Sequence, residues 1–132
     1  MKLLHCYALR NETRRFTQQK LELKNINYVY RHGTDKQIHR DFLEHFSQPE
    51  KISLHYITNG TTQPDDELVK LWNKFRHVDI QISLDGTEEK FEYNRWPSDW
   101  KIVKLNLDKY LALRTDMPNL QLSISHTVSI FT

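Results

Sequence analysis

The chain is expected to form an α/β domain with a mainly parallel sheet of about four strands and flanking helices, and three observations carry that expectation. Short β-branched or aromatic runs alternate along the chain with stretches of helical periodicity. Two of the three glycines stand where such a run stops, in Thr58-Asn59-Gly60 and in Ser83-Leu84-Asp85-Gly86. About a dozen residues of helical pattern lie between those two runs, as a βαβ unit requires. Parallel strands joined in that way bring both glycine loops to one edge of the sheet, the carboxyl edge at which parallel sheets bind ligands. Glycine there permits a positive φ or a close approach of backbone to ligand.

The elements follow in chain order. Residues 10–24 are polar and weakly periodic and read as a helix. Ile26-Asn27-Tyr28-Val29-Tyr30 reads as a short strand, and residues 31–35 as a loop around Gly33. Residues 36–47 place Ile38, Phe42, Leu43 and Phe46 on one helical stripe, with Pro49 ending the segment. Residues 52–58 form the next strand. Pro64 suits a first helical turn, and Asp65, Asp66 and Glu67 suit its positive end. Leu68, Leu71, Trp72, Phe75 and Val78 then continue an amphipathic helix.

Val78, Ile80, Ile82 and Leu84 alternate with Asp79, Gln81 and Ser83, which is strand periodicity. A polar insert follows over residues 86–99. Ser98 or Asp99 can cap a helix running to about Arg114 through Trp100, Val103, Leu107, Tyr110 and Leu111. After a turn at Pro118-Asn119, residues 120–131 alternate Leu120, Leu122, Ile124, Val128 and Ile130 with Gln121, Ser123, Ser125, Thr127 and Ser129.

Composition narrows the function classes. The chain has 132 residues, enough for one domain with a real core. It has no apolar run near the ~20 residues of a membrane span and no signal-peptide core, so a cytoplasmic protein with no membrane partner is expected. Cys6 is the only cysteine, which excludes an internal disulfide and a multi-cysteine metal site within the chain. Residues 1–51 carry ten Lys/Arg against six Asp/Glu, a charge of +4, and the remainder nine against eleven, or −2. That basic half reads as a solvated face, and nucleic acid is not expected as a partner.

The last two strands alternate where strands covered on both faces would be apolar throughout. Two explanations stay open. The polar face meets water because only one side of the sheet is covered, or it lines an open partial barrel that holds a polar ligand.

Thr58-Asn59-Gly60 after one strand, Ile82-Ser83-Leu84-Asp85-Gly86 after the next, and then Glu92-Tyr93-Asn94-Arg95 resemble the middle of a radical SAM domain, of the subgroup that carries SPASM or twitch extensions. The likeness covers roughly residues 26–132 and implies an incomplete (β/α) barrel. In that family such a barrel holds S-adenosylmethionine and a four-iron–four-sulfur cluster at its carboxyl edge. The resemblance implies that Ser83 hydrogen-bonds the cofactor ribose, that Asp85 orders the loop or meets the ribose edge, and that Arg95 pairs with the methionine carboxylate. It puts Thr58 and Asn59 at the pocket floor, and Thr127 and Ser129 toward the adenine. Read from the residues alone, Ser83 and Asp85 also fit a strand-end turn, and Arg95 a surface arginine stacked on Trp96.

The chain departs from the family in three ways. The family binds its cluster through a CxxxCxxC loop after the first strand, and Cys6 leaves that cluster without its thiolates. The Gly-Gly-Glu-Pro element that holds the methionine amino group is represented by Tyr30-Arg31-His32-Gly33-Thr34, with no glutamate. The sequence also stops in or just past the fifth strand.

A fragment or degenerate radical SAM protein is therefore expected. It would bind S-adenosylmethionine without doing radical chemistry alone, and the alternative is a non-catalytic α/β interaction module without a cofactor. No catalytic residue is named. No metal site is expected, since His39 and His45 lie six apart on a helix and His5 lacks partners at zinc-like spacing. Ser125-His126 is no dyad on a strand, because the two side chains point to opposite faces. An incomplete barrel leaves exposed sheet edges, through which a homo-oligomer or a partner protein is expected to attach.

Overall fold

The structure is a computed structural model and describes residues 2–5, 26–31 and 36–126. It contains one sheet of five parallel strands in the order β1-β2-β3-β4-β5: β1 Lys2–His5, β2 Ile26–Arg31, β3 Ser53–Thr58, β4 His77–Ser83 and β5 Leu120–Ser125. The helices are α1 Lys36–Glu44, α2 Asp66–Trp72, α3 Glu88–Asn94 and α4 Trp100–Asp116, with a 3₁₀ turn at Pro49–Lys51. This is the expected α/β fold, an open sheet with flanking helices laid out as an unclosed (β/α) barrel. The strands number five where four were expected, because β1 adds a short edge strand at Lys2–His5. Its two leucines are too brief a run to declare a strand by pattern.

Sequential parallel order with repeated crossovers of one hand collects the helices on one side of a sheet. The burial pattern agrees. Leu54, Tyr56 and Thr58 of β3 and Val78, Ile80 and Ile82 of β4 are buried, while every alternate residue of those strands is half-exposed. The buried set joins Leu43, Phe46, Leu71, Trp72, Phe75, Phe91, Val103, Tyr110 and Met117 in one core. On β4 the alternation follows a sheet covered on one face among the described residues, whereas on β5 Leu120 is buried, Leu122 half-buried and Ile124 exposed.

Local chemistry sets the helix starts. Asp65 caps α2 by accepting from the Leu68 N–H at 2.9 Å, and Asp99 caps α4 by accepting from the Lys101 N–H at 2.8 Å. Beneath α1 and α2 a buried polar chain holds the core together. The Trp72 indole N–H donates to the Tyr56 oxygen at 2.8 Å, and that oxygen lies 2.9 Å from His39 Nε2. The Tyr56 oxygen thus links the indole donor to the His39 ring. Burial holds that ring neutral, with its pKa lowered to about 4.

Several expectations need correction. The helix through Leu68 ends at Trp72, leaving Phe75 as a buried turn residue and Val78 in β4. The first helix ends at Glu44, short of Ser47, and Pro49 instead opens the 3₁₀ turn. The polar insert contains α3, whose one buried residue is Phe91. That single apolar anchor, packed on Trp100 at 5.4 Å, is why no periodicity announced it. Leu111 and Ile124 are 54% and 65% exposed, so neither is core. On α4 the face inward of Leu111 is held by Asn106 and Tyr110 instead. The helix expected over residues 10–24, the loop at Gly33 and the strand residues 127–131 lie outside the described residues.

Candidate functional site

The carboxyl ends of β3, β4 and β5 converge on three loops, and most of the expected site residues lie there. Both glycines have positive φ, +76° at Gly60 and +127° at Gly86. A Cβ on Gly60 would meet Val103 Cγ1 at 3.2 Å and Ile82 Cγ2 at 3.4 Å, so this loop lies directly on α4. Three further contacts fix it. The Gly60 N–H donates to Thr58 Oγ1 at 3.1 Å, Asn106 Nδ2 donates to the Gly60 carbonyl at 2.9 Å, and the Tyr110 hydroxyl donates to the Thr62 carbonyl at 3.1 Å. Burial raises the Tyr110 pKa to about 12, so it stays a donor.

Thr58 is buried on the helix-covered face, with its hydroxyl spent on the Gly60 turn. Asn59 is half-exposed and folds an Asx turn, its Oδ1 accepting from the Thr61 N–H at 3.1 Å and the Thr61 hydroxyl at 2.7 Å.

The second loop is built around an ion pair. Arg95 Nε donates to Asp85 Oδ2 at 2.7 Å, and Nη2 approaches the same oxygen at 2.6 Å. The carboxylate and guanidinium side chains are 16% and 26% exposed. Asn94 Nδ2 donates to the Asp85 carbonyl at 3.0 Å, so both ends of Asp85 are tied to the C-terminal end of α3. Arg95 Nη1 makes no hydrogen bond among the described residues. Ser83, the last residue of β4, stands in register with Ser125. Its half-exposed hydroxyl also has no partner among them.

His126 joins the site at the third loop, where its Nδ1 lies 2.8 Å from the Leu84 carbonyl. A carbonyl only accepts, so Nδ1 carries a hydrogen. Sequence alone offers His126 only as a neighbour of Ser125 or as a histidine that could meet His32 through the fold, and neither points to the Leu84 carbonyl. Asn106 was missed because a polar residue within an apolar helical stripe reads as an interruption. Thr127 and Ser129 lie outside the described residues, so Ser83, Asp85, Arg95 and Asn59 are the expected residues that the fold brings together.

No group of three or more His, Cys, Asp or Glu side chains that could hold a metal occurs among the described residues. Among them, no helix is long and apolar enough to cross a membrane. Comparison with protein-family models, with curated proteins and with solved structures gave no match.

Proposed function

We propose that the chain binds S-adenosylmethionine at the carboxyl edge of its sheet, as a fragment or degenerate member of the radical SAM family. The observation that carries this reading is the Asp85–Arg95 pair set beside the Ser83 hydroxyl, which has no partner among the described residues. Asp85 occupies the Nε and Nη2 side of the guanidinium, which fixes its plane and leaves Nη1 for a carboxylate of the ligand. Ser83 offers a hydroxyl that can both donate to and accept from a ribose diol. The two positive-φ glycines let the loops after β3 and β4 pack closely on α4 and α3, which shapes the edge where the ligand would lie.

The residues do not fit the family's iron–sulfur cluster. Cys6 is the only thiol in the chain, so three of the required thiolates are lacking and no radical step is assigned. The same lone cysteine favours the second reading, a non-catalytic module that attaches a partner through its sheet. Calorimetric titration of the full chain with S-adenosylmethionine separates the two. Saturable binding, weakened in Arg95→Ala and Ser83→Ala, supports the cofactor site. Absence of binding by a folded chain supports the module.

A further inference from the structure

His55 and Asp79 face each other from adjacent strands in the middle of the uncovered face, with Nδ1 2.6 Å from Oδ2. An ionised carboxylate can only accept, so Nδ1 carries a ring hydrogen, and in the neutral ring Nε2 holds the lone pair. Nε2 makes no hydrogen bond among the described residues, and the His55 side chain is 31% exposed. Asp79 Oδ1 is buried and has no partner there either. A buried acceptor left unmatched costs stability, and such groups recur at functional sites.

The neighbouring positions on this face are polar as well. Gln121 is in register with Asp79, and Gln81 with Ser123. Gln81 and Ser123 make no side-chain hydrogen bond among the described residues. At 3.3 Å per residue, the pair lies about 13 Å below Ser83 along β4, well apart from the edge loops.

We propose that this pair is a second site, separate from the carboxyl edge, at which His55 accepts a proton from an O–H or N–H group of a polar small molecule. Asp79 is the positioning residue that holds the ring in the accepting tautomer. The step is a simple proton transfer. The ligand's O–H or N–H bond breaks, its electron pair stays on the oxygen or nitrogen, and the proton forms a bond with Nε2. The resulting imidazolium lies against the Asp79 carboxylate, and nothing is oxidised or reduced. The alternative is a structural pair between strands, worth about 0.2–1 kcal/mol, in which the same Nδ1–H bonds Asp79 but Nε2 is closed to reagents.

Two measurements on the full chain decide between them. Long-range ¹H–¹⁵N correlation NMR of the unmodified protein reads the tautomer directly, with the hydrogen expected on Nδ1 of His55. Carbethoxylation by diethyl pyrocarbonate, mapped by peptide mass spectrometry, reads whether Nε2 is accessible. There Nε2 bonds to a carbonyl carbon and ethyl carbonate leaves with its electron pair, decomposing to ethanol and carbon dioxide. His55 is expected to react on the order of a hundredfold faster than buried His39, which must wait for local opening. Asp79→Asn preserves the shape but lets an amide N–H donate to Nδ1, which moves the ring hydrogen to Nε2. In that variant His55 is expected to react severalfold more slowly, while exposed His126 keeps its rate. A proton on Nε2 in the unmodified protein, a His55 as slow as His39, or equal His55 rates in the two proteins would overturn the proposal. Each of these readouts is taken without S-adenosylmethionine, so the proposal fails or stands independently of the edge site.

Discussion

Arg95 turns back from the end of α3 to place two of its nitrogens on a single oxygen of Asp85, ten residues earlier in the loop that follows β4. That contact closes the loop between strand and helix and leaves Nη1 of the guanidinium without a hydrogen bond among the described residues. Arg95→Lys keeps the charge but loses the planar fork. Asp85→Ala removes the anchor and frees the arginine. By thermal or urea unfolding, Asp85→Ala is expected to cost about 1.5–3 kcal/mol, the range of a hydrogen bond to a charged group, at its lower end because the pair is partly exposed.

Gly60 is held by α4 on one side and by a left-handed backbone on the other. Gly60→Ala is expected to destabilise by about 1–2 kcal/mol for the positive φ, with more from crowding against Val103. Combining it with Val103→Ala tests the two terms. The double variant should lose less than the sum of the single losses in urea titrations, since removing the Val103 methyls relieves the contact.

Asn106 is the buried donor that secures the same loop from the helix. Asn106→Leu matches its volume and leaves the Gly60 carbonyl without a partner. The expected cost is about 1–3 kcal/mol by chemical denaturation. Hydrogen exchange is expected to quicken at the amides of residues 59–62 before it does in the strands.

The buried His39 gives the protein an acid limit. Its folded pKa is lowered to about 4 from an unfolded value of 6.5, so the unfolded chain binds more protons between those two values. Stability therefore rises with pH across that window. The stabilising contribution is fully present above pH 6.5 and is lost as pH falls toward 4, by about 3 kcal/mol at 1.36 kcal/mol per pKa unit. Urea midpoints measured from pH 4 to 7 should follow that slope. His39→Gln keeps an acceptor for Tyr56 without a titrating group and should flatten it.

Much of this arrangement was legible in the sequence, for physical reasons that differ by element. The period-two runs of β3 and β4 and the glycines that end their loops follow from backbone geometry, which local sequence encodes. Asp99 capping α4 is equally local. The short strand β1 depends on pairing with β2, and α3 is anchored only by Phe91, so neither carries a periodic signal of its own. The family resemblance singles out Arg95, but its engagement with Asp85 depends on how α3 packs. His55 and Asp79 lie 24 residues apart and meet only through strand register, which no single-strand pattern can reveal.

The central claim is a cofactor edge built by Ser83, Asp85 and Arg95, and isothermal titration with S-adenosylmethionine tests it most directly. The account predicts saturable binding by the unmodified chain that weakens by about tenfold in Arg95→Ala, the loss of roughly 1.4 kcal/mol or more expected for one charge-assisted contact. Heats no different from dilution, with a chain shown to be folded by circular dichroism, would contradict it.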